Sequence, residues 1–69
     1  MPTIRVEMFE GRSVEQKRAL AQELTGACVR ALGVAPQSVS VVFHDVAKHD
    51  WATGGILFSD PRPPQEPAR

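Results

Sequence analysis

TIRVEMFEGRSVEQ, residues 3–16, changes its period halfway along. Up to Phe9 the side chains alternate, with Ile4, Val6 and Met8 on one face and Thr3, Arg5, Glu7 and Phe9 on the other. Alternation that includes β-branched residues predicts a strand with one face on a core. Glu10-Gly11-Arg12 ends the alternation, and Gly11 gives the backbone the freedom a tight turn needs. Ser13 opens a capping box, because its hydroxyl and the Gln16 side chain can satisfy the exposed N–H groups of a helix start. A helix is predicted over about 14–32, with an apolar stripe of Leu20, Leu24, Ala27, Cys28, Ala31 and Leu32. Gly33 follows it, where a left-handed cap is expected.

Downstream, Pro36 lies in a connection, and Val39 to Val46 alternates again as a second strand. Strand, long helix, strand is a β-α-β unit, so the two strands should run parallel. Residues 47–53 read as polar and irregular, and Gly54-Gly55 as a turn before a short strand, Ile56 to Ser59. The expected class is α+β: a β-α-β subunit with parallel strands and a short C-terminal strand or hairpin. Four of the six prolines (Pro61, Pro63, Pro64 and Pro67) fall in the last nine residues. Residues 1–60 are therefore expected to form the domain, and 61–69 a disordered Pro-rich tail. A 69-residue chain with one cysteine, Cys28, cannot form an internal disulfide. Its core is small and its sheet edges are open, so assembly into an oligomer is expected.

Eight basic and eight acidic residues cancel. Nothing builds the basic field that nucleic acid or an anionic membrane would need. No apolar run approaches the roughly 20 residues of a membrane span, and the charged N-terminus lacks a signal-peptide core. A lone cysteine suits a reducing compartment, so the expected location is cytoplasmic. No phosphate loop, Cys-x-x-Cys or His-Glu-x-x-His is present. His44 and His49, flanked by Asp45 and Asp50, fall short of the three or four converging ligands of a zinc site.

Chemistry then falls to the N-terminus. Pro2 follows Met1, and a small residue at that position permits removal of the methionine, which exposes a prolyl amine. Such an amine is a rigid secondary base. An ordinary α-amine titrates near ~8, and burial or a nearby cation lowers that value toward a working pH.

Met1-Pro2-x-Ile4-x-Val6, then Glu10-Gly11-Arg12-Ser13-x-Glu15-Gln16-Lys17, Val39, Val41, Ala47-Lys48, and Trp51 before Gly54-Gly55 together resemble the 4-oxalocrotonate tautomerase family. The resemblance runs from Pro2 to about Phe58 without a gap. It implies a β-α-β subunit assembling into dimers and hexamers, with no cofactor or metal. It also implies proton transfer in unsaturated 2-oxo or 2-hydroxy acids by the N-terminal proline. Pro2 would be the catalytic base and acid, Arg12 would bind a substrate carboxylate, and Trp51 would form an apolar wall of the substrate site. Ser40 departs from the pattern, because the best-known members carry a second arginine there. A serine hydroxyl is a short neutral donor, so monoacid enols are expected to be handled nearly as well as a dicarboxylate, and the dicarboxylate far less efficiently than by members that carry the arginine. Arg5, His44 and Lys48 are cations near enough in sequence to be considered as substitutes.

Two other readings remain open. A same-fold dehalogenase, hydratase or decarboxylase would use a protonated Pro2, with Asp45 or Asp50 as candidate activators of water. A non-catalytic oligomeric binding module would retain the fold alone. Deuterium exchange at C3 of a 2-oxo acid separates the last from the enzymes, and halide release from a 3-chloroacrylate separates the two enzymes.

Overall fold

The computed structural model describes residues 2–61. Strand β1 spans Thr3–Phe9, helix α1 Val14–Leu32 and strand β2 Ser40–Val46. A 3₁₀ turn at Pro36–Ser38 precedes β2 and another at Lys48–Asp50 follows it. Two-residue strands β3 (Ala52–Thr53) and β4 (Ile56–Leu57) close the described chain.

β1 and β2 pair in parallel, in register from Thr3 opposite Ser40 to Phe9 opposite Val46. Ile4, Val6, Met8, Val41 and Phe43 share the face on which α1 lies, and all are half-buried. The opposite face carries Thr3, Arg5 and Glu7 against Ser40, Val42 and His44, and becomes apolar only at its end, with Phe9 and Val46. The face without a helix is therefore mixed in character.

Each boundary of α1 has a local cause. Ser13 Oγ accepts from the Gln16 N–H at 3.1 Å, and Gln16 Oε1 accepts from the Ser13 N–H at 3.0 Å. Gly33 ends the helix at φ 69°, its N–H donating to the Val29 carbonyl. The contact face lies one step away from the expected stripe. Leu20, Leu24 and Cys28 are half-buried with Ala21, Thr25 and Val29, whereas Ala27, Ala31 and Leu32 are exposed, Leu32 to 61%. Lys17 joins this face: its ammonium meets Asp45 of β2 at 2.6 Å. A lysine can join such a face because its stem is apolar and only its head needs a polar partner.

β2 begins at Ser40, one residue later than predicted, because the Val39 N–H closes the preceding turn onto the Pro36 carbonyl. Residues 52–53, read as irregular, form β3 and pair antiparallel with β4. Gly54 and Gly55 join them at φ 63° and 81°, the left-handed pair of a two-residue hairpin. Phe58 and Ser59 lie outside the strand expected for them; Phe58 instead donates its N–H to the Trp51 carbonyl at 2.8 Å. Apart from Pro61, the Pro-rich tail lies outside the described residues. Among the described residues no side chain is fully buried, so the single chain has no closed core.

Candidate active site

Pro2 precedes β1, and its carbonyl accepts the Ser40 N–H at 3.0 Å. That bond ties the start of the chain to the start of β2, so the pyrrolidine ring sits on a fixed sheet corner. Ser40 is exposed at the same corner, opposite Thr3. Pro2 and Ser40 are thus brought together.

Arg12 and Trp51 lie at the other end of the sheet. Beyond Phe9, the Glu10 N–H donates to the Val46 carbonyl at 3.1 Å, extending the ladder by one bond. Gly11, at φ 115°, then turns the chain toward α1. Arg12 lines a cavity of about 220 Å³ with Met8, Gln16, Lys17 and Leu20. Lys17 is already paired with Asp45, so Arg12 is the cation left to that cavity without a carboxylate partner among the described residues.

Trp51 packs against Phe9 with ring centroids 4.8 Å apart, and Phe58 lies 5.0 Å from Phe9 on another side. Three of the chain's four aromatic residues therefore form one half-buried cluster at the Phe9 end of β1. Tilted contacts of this kind add to the area they bury. Lys48 places its ammonium 5.9 Å from the centroid of the Phe9 ring. On the face away from α1, Trp51 also borders a recess of about 240 Å³ lined by Glu7, Val46, Asp50 and Ala52. Asp50 has His49 at 3.6 Å. Among the described residues no group of three or more His, Cys, Asp or Glu is placed to hold a metal ion, and no helix is long and apolar enough to cross a membrane.

A family model for tautomerase enzymes matches residues 2–60. The chain belongs to the tautomerase family. It is 43% identical over 56 residues to the 2-hydroxymuconate tautomerase of Comamonas testosteroni, covering 81% of this chain and 89% of that one. A solved 4-oxalocrotonate tautomerase homologue superposes with a TM-score of 0.81 at 40% identity, covering 91% of this chain and all of that one. The heterohexameric 4-oxalocrotonate tautomerase of Chloroflexus aurantiacus superposes at 0.83 with 37% identity, covering 90% of this chain and all of that one. The family makes this protein an isomerase, and its β-α-β fold is the one those structures share.

In this tautomerase subunit the four expected site residues form two groups. Pro2 and Ser40 stand at one end of the sheet, Arg12 and Trp51 at the other. From Pro2 to Phe9 the strand rises seven steps, or roughly 23 Å at about 3.3 Å each, well beyond the reach of an arginine side chain. Phe9 and Phe58 escaped the sequence reading. Period two gives the face on which Phe9 stands, but nothing local says that Trp51 and Phe58 arrive beside it. The signal available was compositional: a chain this poor in aromatics has three of them flanking its two predicted turns.

Proposed function

We propose that this tautomerase is a cofactor-independent keto–enol isomerase of 2-hydroxy-dienoic and unsaturated 2-oxo acids, with the amine of Pro2 as base and acid once Met1 is removed. The pyrrolidine nitrogen takes the proton of the 2-hydroxyl as the C2–O bond becomes a carbonyl. The electron pair of the diene moves to C3 or C5, and the protonated amine returns the proton there, so atoms and charge balance. Arg12 anchors the carboxylate through its planar donor pair. Trp51 and Phe9 form the apolar wall, which disfavours the ammonium form of Pro2 and holds its basicity down. Positioned proton transfer of this kind contributes roughly 10²–10⁴-fold.

The observation that carries the reading is the anchored Pro2 corner on a subunit whose family match begins at that residue. The separation of the two groups favours a site shared between subunits. A two-fold axis that pairs sheet edges antiparallel sets the Pro2 corner of one subunit against the Arg12–Trp51 end of the next. The open edges of a two-stranded sheet and the absence of a closed core support such a homo-oligomer, with dimers assembling into a hexamer. We read it as a cytoplasmic enzyme on a small carboxylic acid, with residues 1–60 as the catalytic domain. The hydratase-type alternative loses Asp45, which is engaged by Lys17, and retains Asp50 beside Trp51.

The test is ketonisation of phenylenolpyruvate by protein whose intact mass shows Met1 gone. Pro2→Ala should lose at least about a hundredfold in kcat, the scale of general-base catalysis. The wild-type rate should rise with pH through an inflection below the ~8 of an ordinary α-amine. Undiminished activity in Pro2→Ala, or in protein that keeps Met1, excludes the mechanism.

A further inference from the structure

Two cations, Arg12 and Lys17, line the cavity of about 220 Å³ at the start of α1, and only Lys17 is engaged by a carboxylate. It donates to Asp45 Oδ2 at 2.6 Å, a partner 28 residues away in sequence. Asp45 comes there through the ladder. It is the register partner of Met8, so both side chains stand on the α1 face, and Met8 is itself a wall of the cavity. Asp45 therefore stands at the margin of the cavity, in contact with one of its walls and beside another. The acid of the first helical turn, Glu15, is likewise taken, by Arg18. Glu10, on the other side of Gly11, is not a wall of the cavity. Lys17 and Arg18 stand near the N-terminal end of α1, where the helix dipole disfavours cations, so each is better placed with a carboxylate of its own. The result is a helix start whose nearby acids are occupied and whose entering loop keeps an unpaired guanidinium.

We propose that Lys17 is a positioning residue that holds Asp45 away from Arg12 and so keeps the guanidinium open to a substrate carboxylate. This rests on the reading of Arg12 as the carboxylate anchor of the tautomerase site, and adds what keeps that anchor free. Without the ammonium, Asp45 is an uncompensated anion beside a part-buried cavity that holds one remaining cation, and opposite charges in such a setting attract more than they do in bulk water. The freed carboxylate then competes with substrate for Arg12. The competition takes place in the free enzyme and leaves the proton transfer at Pro2 untouched, so it raises KM and spares kcat.

The experiment measures ketonisation of phenylenolpyruvate by wild type, Lys17→Met, Lys17→Arg, Asp45→Asn and the double variant Lys17→Met/Asp45→Asn. Lys17→Met should raise KM by about fivefold, the scale of a part-exposed ion pair, at nearly constant kcat. Lys17→Arg keeps the cation and should keep the wild-type KM. Asp45→Asn removes the competing anion and should not raise KM. The double variant should return KM to within about twofold of wild type. A bridge that only fastened α1 to β2 would leave Asp45→Asn and the double variant as impaired as Lys17→Met, and that result overturns the proposal. In an Arg12→Ala background Lys17→Met should add nothing to KM, and a rise there equal to that in the parent also overturns it. Arg12→Ala alone separates the two readings. If its KM equals that of wild type, the anchor reading fails and this proposal with it; if its KM is raised while Lys17→Met is unchanged, this proposal alone fails. If wild type does not turn over the enol, calorimetric titration with phenylpyruvate compares the same variants by dissociation constant, and the same outcomes decide.

Discussion

Arg12 follows the turn after β1 with a cavity on one side and no carboxylate partner among the described residues. Replacing it by alanine should raise KM for carboxylate substrates by roughly 10- to 150-fold, the range for a charge-assisted hydrogen bond of ~1.5–3 kcal/mol. kcat should fall less, and unchanged steady-state kinetics would show Arg12 to be a solvated loop charge. At this scale the sequence was informative where chemistry is local. Pro2 stands out because its position after Met1 is itself the chemistry, and Arg12 because Glu-Gly-Arg-Ser joins a turn to a helix cap. Phe9 was placed on a face without its neighbours. Its partners Trp51 and Phe58 lie more than forty residues away, brought in by the β2 turn and the hairpin, and no period in the sequence encodes that meeting.

The elements were legible wherever their boundaries are set by backbone hydrogen bonding. The capping box at Ser13, the left-handed Gly33 and the Gly54-Gly55 turn all stand where a reading of orphan donors and positive φ places them. The helix face was less so. A two-stranded sheet contacts a narrow arc of α1, and Lys17, polar by type, enters that arc because Asp45 stands opposite it. Val14, at 66% exposure, shows how little of the first turn is held by packing. The cap is then the main restraint on the loop that carries Arg12. Ser13→Ala should cost about 1 kcal/mol, or a fall in Tm of about 4–8 °C for a chain of this size. The comparison requires one fixed protein concentration, since assembly makes Tm concentration-dependent. KM for a carboxylate substrate should rise in the same variant as the Arg12 loop frays. Ser13→Asp, which keeps an acceptor at the N-cap, should recover both, and a Tm equal to wild type in Ser13→Ala would show that tertiary contacts already hold the turn.

For the whole molecule, the described residues of a single chain form no closed core, and they set Pro2 and Arg12 at opposite ends of the sheet. No side chain is fully buried among the described residues, so one subunit removes little apolar area from water to set against the entropy of ordering its chain. Sequence length and the single cysteine already pointed to assembly. The distance between Pro2 and Arg12 did not show in the sequence, because a linear motif lists them in one short stretch and only the extended strand between them sets their separation. Subunit mixing tests whether the site is shared. Pro2→Ala and Arg12→Ala chains, each assembled alone, should be nearly inactive at substrate concentrations far below KM. Dissociated, mixed in equal amounts and reassembled, they should regain activity. A hybrid pair joins the intact proline of one chain to the intact arginine of the other in one site, while its second site holds both substitutions. Random association about a two-fold axis should therefore restore roughly a quarter of the wild-type sites. Sedimentation should show the mixed protein at the same oligomeric size as wild type, so that a failure to regain activity cannot be traced to a failure to assemble. If the mixture assembles fully and remains as inactive as its parents, Pro2 of one chain and Arg12 of the next do not meet in one site, and the shared-site reading is wrong.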